Sequence, residues 1–378
     1  MATNPLQLLT AQGQSVWLDY IRRDLIESGG LARLARDDGL RGITSNPSIF
    51  EKAIAGAREY DRLLEETLRE TRDPVAVYER LAVRDVQDAA DALAPVHEAT
   101  RGRDGFVSLE VSPHLADDTP GTVAEARRLW GAVSRRNLMI KVPGTPAGVP
   151  AFAQLIGEGI NVNVTLLFSR AAHRRVAEAY IAAIEGRAAR HRDFGRIASV
   201  ASFFVSRIDT AVDKLLAARI AAAPGDGERG RLEGLLGKAA IANAKLAYRT
   251  YLELFGAPRW QSLAAKGAQP QRVLWASTSS KNPDYRDVVY VEELIGPETV
   301  NTLPPATLDA FRDHGNVRPS LTEGLADAQR VMDELAGLGI SMDDVTAKLL
   351  GEGVQLFADA FDKLLAAIGE RVRGAVAA

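Results

Sequence analysis

The chain has 378 residues, 46% hydrophobic and 25% charged, with a net charge of -3. Those figures suit a soluble globular protein with a large core, and they give no reason to expect nucleic acid or an anionic membrane as a partner. There are no cysteines, which excludes disulfides, thiolate catalysis and cysteine-ligated zinc or iron–sulfur sites.

The five histidines (His97, His114, His173, His191 and His314) are scattered without HxxxH or HxH spacing, so no histidine-built metal site is expected. The opening MATNPLQLLTAQGQSVW lacks a positive region followed by an apolar stretch, so it does not read as a secretory signal. No apolar run approaches the roughly 18 residues of a membrane helix. A cytoplasmic enzyme is the expectation.

The candidate strands, in chain order, are SVWLDYI (15–21), LRGITS (40–45), GFVSLEVS (105–112), NLMIKVP (137–143), INVNVTLLF (160–168), IASVASFFV (197–205), RVLWAST (272–278) and TVNTLP (299–304). They are rich in β-branched or aromatic residues and end in loop-forming ones. Between them lie helical patterns such as AEARRLWGAVSRR and SRAAHRRVAEAYIAAIEGRAAR. Such alternation implies right-handed parallel βαβ units, and eight strands suggest a closed (β/α)₈ TIM barrel of the α/β class. Two intervals exceed a simple crossover. Residues 51–104 read as two or three helices, and 209–271 as a further pair broken by AAAPGDGERG (221–230). The tail, 320–378, reads as helical. No linker or repeat marks a boundary, so a single domain over 1–378 is expected.

In a barrel, chemistry sits at the C-terminal strand ends, where the loops converge. Those ends supply Asp19, Thr44 with Asn46, Glu110, Lys141, then Asn161, Asn163 and Thr165, Ser202 with Arg207, and Ser277 with Lys281. Lys141 follows an apolar run. Burial there disfavours the ammonium form, and a neutral amine is a nucleophile toward carbonyls. The bland alternative is a lysine snorkelling at a strand edge. Glu110, on the preceding strand, is expensive to bury unless paired or working. With Thr165 it could manage the water of imine chemistry, or it could form a structural ion pair. Asp19 is either an acid/base for a substrate hydroxyl or a helix N-cap for a segment near Ile21. The loop Ser277, Thr278, Ser279, Ser280, Lys281 and the nearby Arg207 suit a phosphate, against a plain turn and an exposed helix face.

These motifs resemble the transaldolase family over nearly the whole chain. GITSNPSIF (42–50), NLMIKVPGTPAG (137–148), INVNVTLLFS (160–169), SVASFFVSRID (199–209) and VEELIGPETVNTLPPATLDAF (291–311) look like family blocks in the family's order, with the longer bacterial forms as the nearest pattern. The resemblance implies that Lys141 forms the Schiff base, Glu110 and Thr165 manage the water, and Asp19 serves the C4 hydroxyl. It implies that Asn46 and Asn163 hold a dihydroxyacetone unit with Thr44 and Ser202 close by, and that Arg207 and Ser277 bind phosphate. Phe204 falls where related fructose-6-phosphate aldolases carry Tyr, which favours transfer over release. Ser279 stands where shorter family members have Arg, and Lys281 is the candidate replacement charge.

The implied reaction moves dihydroxyacetone from fructose 6-phosphate or sedoheptulose 7-phosphate to an aldose phosphate, within the non-oxidative pentose phosphate pathway. It uses no metal or organic cofactor, since the protonated imine does the activating. A monomer or homodimer acting on phosphorylated sugars is expected. The alternatives are a Schiff-base fructose-6-phosphate aldolase and a non-catalytic sugar-phosphate-binding barrel.

Overall fold

The computed structural model describes residues 4–54 and 58–377. Residues 1–3, 55–57 and 378 belong to the N-terminal segment, the first helical interval and the tail, and lie outside the described residues.

The eight strands form in the expected places: β1 (Gln14–Asp19), β2 (Gly42–Thr44), β3 (Phe106–Glu110), β4 (Leu138–Pro143), β5 (Val162–Leu167), β6 (Ser199–Phe204), β7 (Arg272–Ala276) and β8 (Thr299–Leu303). They close into one barrel in sequence order, and every neighbouring pair, including β1 with β8, is parallel. This is the (β/α)₈ architecture. Apart from Asp19 every strand residue is buried, as it must be when side chains fill the barrel on one face and outer helices cover the other.

Most strands end earlier than their apolar runs suggest. β1 stops at Asp19 and not at Ile21, and β2 keeps only three of six residues. The ladder lasts only while a neighbour offers matching partners; beyond it, Ile21 and Leu40 are buried in the core without pairing as strand. Gly42 permits a close approach within the barrel, because a Cβ there would lie 2.6 Å from the Trp17 indole. β5 carries an irregularity between Val164 and Leu167, with Leu166 at a φ of 60°.

Side-chain caps and N-terminal prolines start several outer helices. Asp73 accepts from Ala76 N ahead of Pro74–Ala99, and Asp118 accepts from Gly121 N ahead of Thr119–Val133. The first long interval holds helices Asp61–Leu68 and Pro74–Ala99 after Pro47–Ile54. The second differs from expectation. Ser206–Ala221, Asp226–Glu233, Ala239–Gly256 and Pro258–Ala264 are all helical, so part of the supposed break is itself a helix. Asp226 and Glu228 in its first turn favour the positive helix end, which offsets two glycines.

The N-terminal face of the barrel is closed by a buried polar network. Arg272 donates to Asp104 Oδ1 at 2.8 Å and to Ser15 Oγ at 2.8 Å, while Ser15 donates to Asp104 Oδ2 at 2.8 Å. At the opposite face, the long helix Met342–Ala377 packs against β5 and the helices that follow β2 and β6. Among the described residues, no helix is long and apolar enough to cross a membrane.

Candidate active site

Parallel closure points every strand's C-terminus at one mouth, and a cavity of about 190 Å³ opens there. Asp19, Thr44, Asn46, Lys141, Thr165, Ser202, Phe204, Arg207, Ser277 and Lys281 all line it. Residues from six strands and their loops thus meet, although they are scattered through the chain.

Lys141 occupies β4 in register with Glu110 of β3 and Asn163 of β5. Only 4% of it is exposed. Its Nζ donates to the Ser45 carbonyl at 2.9 Å and stands 3.8 Å from Glu110 Oε2, too far for a direct hydrogen bond to the carboxylate. The amine is therefore held inside the mouth, not snorkelling to solvent. Glu110 Oε2 and Thr165 Oγ1 are buried with no hydrogen-bond partner among the described residues. Two orphaned polar atoms beside a buried amine are what an additional small polar group would satisfy. Burial pushes the Glu110 carboxyl up to about 7; the Lys141 charge opposes that, and the Asp19 charge adds to it.

Asp19 ends β1 and caps no helix; the helix that follows, Arg23–Glu27, starts behind Arg22. Its Oδ1 accepts from Thr44 Oγ1 at 2.7 Å, and that hydroxyl also lies 2.6 Å from Thr302 Oγ1. Burial raises the Asp19 carboxyl, against Lys141, the Thr44 hydrogen bond and Lys281, which lower it. Asn46 accepts from Ile49 N through its carbonyl oxygen at 3.0 Å, and its NH₂ end has no hydrogen-bond partner among the described residues.

Asn163 and Ser202 are placed differently from a simple lining role. Asn163 is not among the residues that line the cavity; it accepts from Ser202 Oγ at 2.6 Å and donates to Ser108 Oγ at 3.1 Å, beside Lys141. Asn161 is corrected outright: it precedes β5, at the opposite face, donating to the carbonyls of Arg136 and Leu138. Reading it as a C-terminal strand end mistook the start of the strand for its finish.

Arg207 lies in the first turn of Ser206–Ala221, half-buried, where burial lowers its guanidinium against the opposing charge of Glu352. Ser277 adopts a φ of 55°, and its hydroxyl sits 3.1 Å from Ser206 Oγ, joining the β6 and β7 loops. Lys281 donates to Ser279 Oγ, and both line the cavity. Although Lys281 reaches the exposed rim, partial desolvation in the mouth lowers its ammonium, Arg207 adds to that, and Asp19 opposes it. Two cations and two hydroxyls therefore share one side of the mouth. That side suits a dianion.

The sequence reading missed Ser48, Ala276, Thr302, Pro304 and Phe357, which complete the lining. Thr302 and Pro304 sit at the end of β8, where the strand-end rule applied to the other seven would have found them. Phe357 comes from the C-terminal helix, and no local pattern distinguishes it from a packing residue.

A family model described as transaldolase/fructose-6-phosphate aldolase matches residues 16–368. The chain belongs to that family. It is 48% identical over 375 residues to a transaldolase of Trichodesmium erythraeum, with 99% of each chain covered. It is 52% identical over 357 residues to a transaldolase of Thiobacillus denitrificans, covering 94% of this chain and 97% of that one. A protein of a Nostoc species named transaldolase 2 is 47% identical over 376 residues, again with 99% of each covered. Family blocks and barrel geometry converge on the same mouth. Among the described residues no cluster of three or more His, Cys, Asp or Glu could hold a metal ion.

Proposed function

We propose that this chain is a transaldolase that transfers dihydroxyacetone from a ketose phosphate to an aldose phosphate through a Schiff base on Lys141. One observation carries the reading: a lysine amine 4% exposed, at the floor of a polar cavity, with Glu110 3.8 Å away and Asp19 on the cavity wall.

Once unprotonated, the Lys141 amine attacks the C2 ketone, and loss of water leaves an imine. Glu110, with its raised carboxyl, and Thr165 handle the protons of that water. The protonated imine withdraws electrons, so the C3–C4 bond breaks as Asp19 takes the C4 hydroxyl proton. The aldose phosphate departs and an enamine stays on nitrogen. Addition of the enamine carbon to a second aldehyde, with Asp19 returning the proton to the new alkoxide, reverses the sequence.

Asn46, through its NH₂, serves the hydroxyls of the three-carbon unit, and Asn163, in register with Lys141 and bonded to Ser202 and Ser108, holds the hydroxyl of Ser202 at the cavity wall. Arg207, Ser277 and Lys281 bind the phosphate. Fructose 6-phosphate and sedoheptulose 7-phosphate are the donors, in the non-oxidative pentose phosphate pathway. A single domain, present as a monomer or homodimer in the cytoplasm, completes the proposal.

Release of free dihydroxyacetone, as by a fructose-6-phosphate aldolase, is the second reading. Phe204 in the cavity wall, 8% exposed, argues for transfer, because it offers no phenol to hold water. The test is fructose 6-phosphate with and without erythrose 4-phosphate, followed by mass spectrometry. Sedoheptulose 7-phosphate should form only with acceptor and vanish in Lys141→Ala; dihydroxyacetone as the main product in both mixtures would favour the second reading.

A further inference from the structure

The long C-terminal helix has no part in the chemistry outlined so far, yet it places one side chain in the mouth. Phe357 lines the cavity, is 7% exposed, and its ring centre stands 5.7 Å from Lys141 Nζ. The helix is fixed where it lies. One turn before Phe357, Gly353 meets the barrel so closely that a Cβ would come 3.0 Å from Leu166 Cδ2. Leu166 is the residue just past Thr165, at the irregular end of β5 with its φ of 60°. One turn after Phe357, Phe361 packs edge-on against Tyr78 at 5.3 Å. Further along, Arg371 donates to the Ile54 carbonyl at 2.9 Å and pairs with Asp61. The helix is thus anchored on both sides of Phe357.

We propose that Phe357 is a specificity-determining residue whose ring caps the enamine on Lys141 and keeps bulk water from it, so that the bound unit waits for an acceptor aldehyde. This rests on the Schiff-base reading above. The enamine has two fates. In transfer, its C3 carbon bonds to the aldehyde carbon, and the aldehyde oxygen takes a proton. In loss, C3 takes a proton from water, a second water adds across the resulting C=N bond at C2, and the C2–N bond breaks with a proton returned to nitrogen. Dihydroxyacetone and the free amine are then released. The two routes diverge at the first step, where C3 meets either an aldehyde or a proton donor.

The distance sets what can stand between ring and nitrogen. With a C–N bond of about 1.3 Å and carbon–carbon contacts of about 3.5–4 Å, a three-carbon unit between the two fills the gap without a water layer. Phe204 forms a second apolar wall, packed at 5.2 Å against Phe168. Glu110 and Thr165 keep their own polar niche beside the amine, so shielding C3 from bulk water leaves the chemistry of the imine water in place.

The experiment compares Phe357→Ala, Phe357→Leu and Phe357→Gln with the parent chain. Each is given fructose 6-phosphate and a fixed erythrose 4-phosphate concentration, and the ratio of dihydroxyacetone released to sedoheptulose 7-phosphate formed is read. Opening the mouth to water in Phe357→Ala should raise that ratio by about tenfold or more, with Phe357→Gln moving the same way and Phe357→Leu staying within about threefold of the parent. Gln and Leu keep much of the side-chain length, so the comparison survives if the Ala variant fails to fold. A ratio unchanged in both polar and truncated variants, however far the two rates fall together, would reduce Phe357 to packing. Absence of both products in the parent chain would instead remove the Schiff-base premise, whereas release with no transfer would overturn the proposal that the ring holds the enamine for an acceptor.

Discussion

Glu110→Gln should make the protein more stable and less active, with a stability gain that grows from pH 4.5 to about pH 7 and changes little above it. The Glu110 carboxyl sits at about 7 in the folded chain against 4.5 for a free glutamate, because burial disfavours its ionised form. Ionisation is therefore harder in the folded state than in the unfolded one. The stability associated with the protonated acid is fully present below pH 4.5 and is lost as pH rises through 7. At about 1.36 kcal/mol per unit, the penalty is under about 1 kcal/mol at pH 5 and grows to about 3 kcal/mol by pH 8.5.

Glutamine has nearly the shape of the protonated acid and never ionises, so it should recover that difference. Denaturant melts of parent and variant at pH 5 and pH 8.5 measure it directly. The variant should gain about 2–3 kcal/mol relative to the parent between the two pH values. Its turnover should fall at every pH, since the amide cannot exchange the proton of the imine water. Equal stability differences at the two pH values would refute the reasoning. It would mean that the Lys141 charge 3.8 Å away fully offsets the burial of the carboxylate.

Two further substitutions test the anion side and the barrel base. Arg207→Ala should raise KM for fructose 6-phosphate by roughly 10- to 100-fold, the loss of one charge-assisted contact, while leaving KM for unphosphorylated fructose nearly unchanged. Lys281→Ala, at the exposed rim, should have the same selectivity with less than about a tenfold effect, and steady-state kinetics with both donors will read it. Asp104→Ala leaves the Arg272 guanidinium buried and unpaired at the N-terminal face, so it should destabilise by about 3–5 kcal/mol in denaturant melts while the mouth itself is untouched.

How far the site was legible depends on how each residue advertises its position. Lys141 stands out because a cation inside Leu-Met-Ile and Val-Pro must be accounted for by burial or work, and Glu110 and Asp19 stand out for the same reason. Parallel closure then turns separate anomalies into one cavity, which is why the strand-end rule found most of the lining. Asparagine carries no such direction. Asn161 and Asn163 differ by two positions, yet one stitches the barrel's opposite face and the other sits beside Lys141, because β5 begins between them.

The insertions were legible as helical but not in detail: Asp226–Glu233 forms despite its glycines. Phe357 was invisible. Its spacing is that of any helix packing on a core, and only the path of the C-terminal helix across the strand ends brings it to 5.7 Å from Lys141. Thr302 shows the opposite case, a residue that the same strand-end rule covers at β8 and that forms part of the Asp19 hydroxyl network.

Borohydride reduction in the presence of fructose 6-phosphate, followed by peptide mass mapping, bears most directly on the role of Lys141. The reduced three-carbon adduct should appear on the peptide containing Lys141 and nowhere else, and Lys141→Ala should show neither adduct nor turnover. An adduct on another lysine, or full turnover in a chain lacking this amine, would contradict the role given to it.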